Sequence, residues 1–357
     1  MIIDAHAPTR IDLAGGTLDI YPIYLLEGGA TTINVAITLR THVRLEPYPG
    51  GVAVYSRDLA FGVEAPAAAT LPGGGPLDLV LRTVRYAGLP ARTRVITSSD
   101  APRGSGLGAS SSLLVGLLAA CERRQGRRPR RAPFGDLVEL AARLEAQSIN
   151  APTGKQDYYA ALHGGLNAIW FDLDREVVEP LLPARRLGGL EEHLVLTFTG
   201  EPHASGLTNW GMIRAYLDGV PGTVEGLRAI RRISQEMREV LRHGDLRGFA
   251  RLLRAEWEQR RRLAAGVSTR EVERAINAAR RAGALASKVC GAGGGGCIVT
   301  VVPAETKYRV EGALTEAGFR VLPFRIARAG LRVRARPSRG RLSRGRPSRD
   351  RPSRDRP

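Results

Sequence analysis

Pro102-Arg103-Gly104-Ser105-Gly106-Leu107-Gly108-Ala109-Ser110-Ser111-Ser112 runs straight into the apolar segment Leu113–Cys121. Glycine lets a backbone approach a ligand closely and adopt dihedrals that other residues avoid. The apolar segment reads as a buried helix, and Arg94–Ser98 ahead of it reads as a strand. A helix start offers unpaired N–H groups and the positive end of a dipole, which together favour phosphate. Serine hydroxyls at that point can cap the helix or reach a phosphate-bound cation. The stretch therefore reads as a phosphate loop. It is not a Walker A loop, since no Lys-Ser/Thr pair follows the glycines. Gly104, Gly106 and Ala109 satisfy a loose dinucleotide pattern, but the acidic residue that pattern wants about twenty positions on is missing. The basic run Arg127-Arg128-Pro129-Arg130-Arg131 stands there instead. The bland alternative is a glycine-rich turn before a core helix.

Two further segments work against the bland reading. One is Ala7-Pro8-Thr9-Arg10-Ile11-Asp12-Leu13-Ala14-Gly15-Gly16-Thr17-Leu18-Asp19; the other is Lys288-Val289-Cys290-Gly291-Ala292-Gly293-Gly294-Gly295-Gly296-Cys297, followed by the strand-like Ile298–Val302. In this order the three motifs resemble the GHMP kinase superfamily of galactokinase, homoserine kinase, mevalonate kinase and phosphomevalonate kinase. The resemblance runs from about residue 5 to about residue 325. Arg10 with Asp19 nine positions later is similar to the start of galactokinases. Those enzymes usually place Glu-His before the threonine, where this chain has Gly15-Gly16-Thr17. Pro152-Thr153-Gly154-Lys155-Gln156-Asp157-Tyr158-Tyr159-Ala160-Ala161, with Gly164-Gly165 after it, resembles the heptose 7-phosphate kinase branch.

The resemblance implies an α+β, two-lobed fold, with an N-terminal lobe like that of ribosomal protein S5 and a ferredoxin-like C-terminal lobe. ATP and substrate would share the cleft between them, with Mg²⁺ as the second cofactor. Backbone amides of Gly104, Ser105, Gly106, Leu107, Gly108, Ala109, Ser110 and Ser111 would hold the phosphates. Ser110 and Glu145 would hold the metal, a hard cation that prefers oxygen. Glu145 lies one position beyond the apolar stripe Leu137, Leu140, Ala141, Leu144, Ser148 of a helix over 135–149. Asp157 would be the general base. Arg10 would keep it ionised and stabilise phosphoryl charge, and Lys155 is a second candidate for that task. Asp19 would accept from sugar hydroxyls, with Gly16 and Thr17 on the same wall and Gly294 and Gly295 packed against the phosphate loop or substrate. His203 reads as a surface-loop histidine.

Size and composition frame this. At 357 residues the chain can bury a sizeable core, and two domains are expected: 1–185, 186–330, then a disordered tail over 331–357. Its 43% hydrophobic and 25% charged residues are ordinary for a globular protein. Leu331–Pro357 carries eleven arginines against two aspartates, half of the net charge of +18. With almost nothing apolar after Val333, that tail is expected to stay disordered as a solvated extension. No aromatic residues interleave its arginines, which argues against nucleic acid as a partner. Three cysteines without metal-ligand spacing, no apolar run of membrane length and no export signal at Met1-Ile2-Ile3-Asp4 point to a cytoplasmic protein. A monomer or homodimer acting on a small-molecule sugar or sugar phosphate is the expectation. The alternatives are a kinase of a non-sugar alcohol such as mevalonate or homoserine, and a non-catalytic binding protein on the same fold.

Strands are expected at 30–46, 52–56, 167–171 and 194–199, and a last strand pair around 320–334. Helices are expected at 77–87, 223–243, 246–265, 269–282 and 305–317.

Overall fold

The computed structural model describes residues 1–127, 134–201 and 205–338. His203 and the chain beyond Ser338 lie outside the described residues.

Alternating apolar residues in the N-terminal half build the first sheet, from β1 (Ile2–Ala14), the short helix α1 (Ile23–Leu26), β2 (Ala30–Pro47), β3 (Val52–Ser56) and β4 (Phe61–Ala65). Helix α2 (Asp78–Ala87) leads to β5 (Thr93–Ser99), and three helices follow: α3 (Ala109–Arg124), α4 (Gly135–Ile149) and α5 (Gln156–His163). The hairpin β6 (Leu166–Phe171) and β7 (Glu176–Pro180) completes this part of the chain. After α6 (Leu187–Glu191) come β8 (Leu194–Phe198) and four helices: α7 (Ser205–Leu217), α8 (Pro221–His243), α9 (Leu246–Arg260) and α10 (Arg270–Arg281). The chain closes with β9 (Ala286–Val289), β10 (Cys297–Val301), α11 (Lys307–Glu316), β11 (Arg320–Val321) and β12 (Arg332–Arg336).

The larger sheet runs β12-β1-β2-β5-β3-β4, with β6 on the other half of β2 and β7 beyond it. The smaller sheet runs β11-β8-β10-β9. Every pairing is antiparallel except β3 with β5. This is the α+β, two-sheet architecture expected. β1 pairs along nearly its whole length with β2, but its register shifts between Pro8 and Thr9 and again between Asp12 and Ala14. Such irregularities re-aim side chains and bend a strand. Here they flank Arg10 and deliver the chain into the Gly15–Asp19 turn.

The expected final strand pair does not exist. β11 joins β8 in the small sheet, whereas β12 crosses back to pair with β1, Ala5 opposite Val333 and Ile3 opposite Ala335. The tail reading therefore began too early. Alternation of Arg with Val333 and Ala335 makes a strand whose Val333 packs against the core cluster of Ile3, Ala5 and Val43. Asp4 holds Arg44 (2.6 Å) and Arg336 (3.5 Å), so the arginine-rich composition hid an edge strand.

α3 is buried almost all round, through Leu114, Val115, Leu117, Leu118, Ala120 and Cys121, as its apolar sequence requires. It packs against β1, β2 and α5, and this places its N-terminus at the mouth of a cleft. No helix among the described residues is long and apolar enough to cross a membrane.

A chain of fully buried charges joins the two sheets. Lys288 on β9 donates to Asp12 on β1 (2.8 Å) and lies 3.1 Å from Glu256 on α9, in an ion-pair contact rather than a hydrogen bond. Glu256 in turn holds Arg260 (2.6 Å), which donates to the Gly16 carbonyl (2.8 Å) and the Thr17 hydroxyl (3.3 Å). All four charged side chains are 0% exposed. Removing one member of such a set strands its partner's charge in the interior, at about 3–5 kcal/mol. Lys288→Met should therefore lower unfolding free energy by about that amount in urea denaturation. A loss below about 1 kcal/mol would show that the chain is not structurally required.

Candidate active site

A cleft of about 710 Å³ opens where β1, the loop before α3, α5 and the Gly291–Ala292 turn meet. Gly108 stands at the N-cap of α3 with φ +70, and no side chain caps the helix. The first-turn amides of Ala109, Ser110 and Ser111 are left facing a ligand position, the geometry that binds anions. α3 begins four residues before the apolar segment does, so the serines sit inside its first turn rather than ahead of it.

Those hydroxyls turn to other partners. Ser110 donates to Oε1 of Glu145, and Ser111 (2.7 Å) and Tyr158 (2.5 Å) donate to Oε2. Glu145 is 5% exposed and, among the described residues, has only hydroxyls as hydrogen-bond partners. Burial pushes its pKa up, and the three hydroxyl bonds only partly offset this. A buried carboxylate beside serine oxygens, with no cation bonded to it, is an oxygen set short of positive charge. That is what a Mg²⁺ site requires. No group of three or more His, Cys, Asp or Glu side chains converges among the described residues. Such a site would then be completed by water and phosphate oxygens, as Mg²⁺ commonly is.

Arg10 ties the first motif to the phosphate loop and to the Pro152–Ala161 segment. Its backbone N–H donates to Leu107 O (3.0 Å), Nη1 to Gly106 O (2.6 Å) and Nε to Asp157 Oδ1 (2.6 Å). Burial alone would lower its pKa, but Asp157 and Asp12 beside it raise it on balance. Asp157 behaves contrary to expectation. Burial outweighs the pull of Arg10 and raises its pKa, which makes it a stronger base than an exposed aspartate.

Asp19 is 1% exposed and lines the same cleft. Burial pushes its carboxyl up to about 6, against the stabilising bond from the Gln156 N–H (2.9 Å). Gly16 and Thr17 line the wall beside it. Lys155 does not join them: its ammonium is bonded to Glu176 (2.6 Å) and Glu139 (2.9 Å), off the cleft lining. Arg10 is the cation the fold brings to Asp157. Gly294 and Gly295 also stand off the lining. Gly294 N–H donates to Val267 O (2.8 Å), and Gly295 packs on Glu201. The part of the glycine run that meets the phosphate loop is Gly291 and Gly296. A Cβ on Gly296 would lie 2.7 Å from Ser105 O, and Cys297 N–H donates to that same oxygen (2.7 Å).

Several further residues at the site were not singled out from the sequence, although three of them lie inside the quoted 152–161 segment. Gln156, Thr153 and Asn209 line the cleft, Tyr158 steadies Glu145, and Arg260 holds the Gly16 carbonyl. Glu256 and Arg260 had one available sign: they lie on the apolar stripe of α9 with Phe249, Leu252 and Leu253.

The description "GHMP kinases N terminal domain" matches residues 77–165, and "GHMP kinases C terminal" matches residues 237–319. The chain belongs to the GHMP kinases. It is 29% identical over 348 residues to the D-glycero-alpha-D-manno-heptose 7-phosphate kinase of Campylobacter jejuni, covering 92% of this chain and 98% of that protein. It is 28% identical over 355 residues to the mevalonate kinase of Thermococcus gammatolerans, covering 93% and 98%. Among solved structures it resembles a D-glycero-D-manno-heptose 1-phosphate kinase from Bacteroides thetaiotaomicron, with TM-score 0.76, 27% identity and coverage of 94% and 100%. In this GHMP kinase the N-terminal match spans the phosphate loop, Glu145 and Asp157, and the C-terminal match includes Lys288, whereas Arg10 and Asp19 fall outside both matched segments.

Gly108 links the phosphate loop to Asp157, since a Cβ there would lie 2.7 Å from Asp157 Oδ2. Gly108→Ala should cost only about 1–2 kcal/mol of stability but displace the carboxylate, lowering turnover about 100-fold. Melting curves and steady-state rates on one preparation separate the two effects.

Proposed function

We propose that this GHMP kinase transfers the γ-phosphoryl group of ATP, with Mg²⁺, to a hydroxyl of a sugar or sugar phosphate. The observation that carries the reading is the convergence of three groups on one cleft: the uncapped N-terminus of α3, the Arg10–Asp157 pair and the buried Asp19. The similarity to heptose phosphate kinases supports the substrate class.

In this reading the amides of the α3 first turn bind the transferring phosphates. Apolar Leu59, Leu77, Val80 and Leu113, which belong to one packed cluster and line the cleft, suit a purine base. Ser110 and Glu145 would hold Mg²⁺, which supplies charge neutralisation on the phosphate oxygens when bound. Asp157 accepts the proton of the attacking hydroxyl. Arg10, fixed by two loop carbonyls, keeps that carboxylate in place and meets charge that develops on the phosphoryl oxygens.

The non-sugar alternative has less support, because a heptose phosphate kinase resembles this chain in sequence and another resembles it in structure at 27% identity. A non-catalytic binder would have no use for a base of raised pKa packed against the phosphate loop.

An ATP-consumption assay with Mg²⁺ across hexoses, heptose 7-phosphate, mevalonate and homoserine tests the reading. Turnover on a sugar that falls about 100-fold or more in Asp157→Ala is expected. Turnover on mevalonate or homoserine alone would move the chain to the non-sugar branch, and silence across the panel with ATP bound would overturn the kinase reading.

Asp19 gives a pH test. Its native pKa lies above the unfolded value, so its ionisation costs stability progressively as pH rises from about 4 through about 6. Asp19→Asn should raise stability at pH 7.5 by up to about 3 kcal/mol while abolishing sugar turnover. In the unaltered chain, kcat/KM for the sugar should fall on the acid side with a midpoint about 6, as Asp19 takes up a proton. A flat profile between pH 5 and 7 would remove Asp19 from the substrate wall.

A further inference from the structure

Gln156 is 4% exposed, yet it lines the cleft between Gly16 and Asp157. Its backbone and side chain are each held in a defined way. The backbone N–H donates to Asp19 Oδ2 (2.9 Å). The buried Asn34 on β2 donates through Nδ2 to the Gln156 backbone carbonyl (3.3 Å) and to its side-chain Oε1 (3.4 Å). A backbone carbonyl only accepts, so it dictates which end of the Asn34 amide faces it. That nitrogen in turn requires the oxygen end of the Gln156 amide. The NH₂ end is thereby turned away from Asn34, toward the Gly16 wall, where a Cβ on Gly16 would lie 3.0 Å from Nε2. Among the described residues Nε2 donates to no protein group, although its neighbours are almost wholly buried. A donor placed this way on a cleft wall, next to a carboxylate that accepts, is a recognition element awaiting its partner.

We propose that Gln156 donates through Nε2 to a substrate hydroxyl adjacent to the one accepted by Asp19, so that the wall reads a vicinal diol. The inference rests on the sugar kinase reading and narrows its substrate class to rings with two neighbouring free hydroxyls at this wall. The two groups are complementary. Asp19 when ionised only accepts, and the Gln156 amide nitrogen only donates. A hydroxyl can satisfy either, whereas a substrate lacking the second hydroxyl leaves the amide unpaired in a desolvated site. Discrimination by unpaired polar groups exceeds what apolar fit supplies.

The test uses the full chain, the sugar of the panel that is turned over best, and its monodeoxy analogues. Gln156→Met keeps the length of the side chain and removes the donor. It should raise KM for the sugar roughly 10-fold with KM for ATP unchanged. One monodeoxy analogue should cost the unaltered enzyme a similar factor, and Gln156→Met should pay no second penalty on that analogue. This non-additivity is what a merely structural glutamine would not produce. Gln156→Glu, which preserves shape, carries the same test should the Met variant melt early; it should raise sugar KM at least as much, again sparing ATP. Unchanged sugar KM, an equal rise in ATP KM, or penalties that multiply would overturn the Gln156 assignment while leaving the kinase reading intact. Failure of the unaltered enzyme to phosphorylate any sugar overturns both.

Discussion

The buried alternation Asp12–Lys288–Glu256–Arg260 is the constraint on which the rest of the molecule depends. Each charge on its own would cost several kcal/mol to desolvate, so none is tolerable without its neighbour. Because the signs alternate and sum to zero, the set is stable only when β1, α9 and β9 are assembled together. The arrangement therefore acts as a register mark between the two sheets. Its last member, Arg260, ends on the Gly16 carbonyl, so the order imposed in the interior reaches the substrate wall.

A second coupling runs through backbone alone. The glycine run after β9 approaches the phosphate loop so closely that a side chain at Gly296 would overlap the Ser105 carbonyl. Thr199 N–H donates to Gly296 O (3.0 Å), and Cys297 N–H donates to Ser105 O (2.7 Å), so the small sheet is hydrogen-bonded to the glycine-rich loop before α3. Here glycine is required by proximity as well as by dihedral angle.

The cleft itself carries more negative than positive charge. Asp19 and Glu145 are buried and Asp157 is largely so; all three have raised pKa values, with Arg10 the cation bonded to one of them. Such a site is destabilising until cations and hydroxyl donors enter, a trade of stability for function.

Much of this was legible in the chain. Helix α4 was expected over 135–149 and occurs at Gly135–Ile149, because its apolar spacing, flanking residues and length agree with one another. The α3 loop, legible from its glycine spacing, lines the cleft together with Arg10, Asp19, Glu145 and Asp157, which the family resemblance pointed to. Lys155 and the Gly294–Gly295 pair were misplaced, because sequence proximity to a motif does not say which way a side chain points. β12 was misread as the start of the tail, as arginine count masked a two-residue alternation. The sequence by itself determined which backbone segments can bind phosphate and which helices and strands form. Only the tertiary structure decided which charges meet. Asp12 and Lys288 lie 276 positions apart, and Gly16 and Arg260 lie 244 apart. Coulomb pairing and burial at such separations leave no local pattern, because they arise only after the chain has closed on itself.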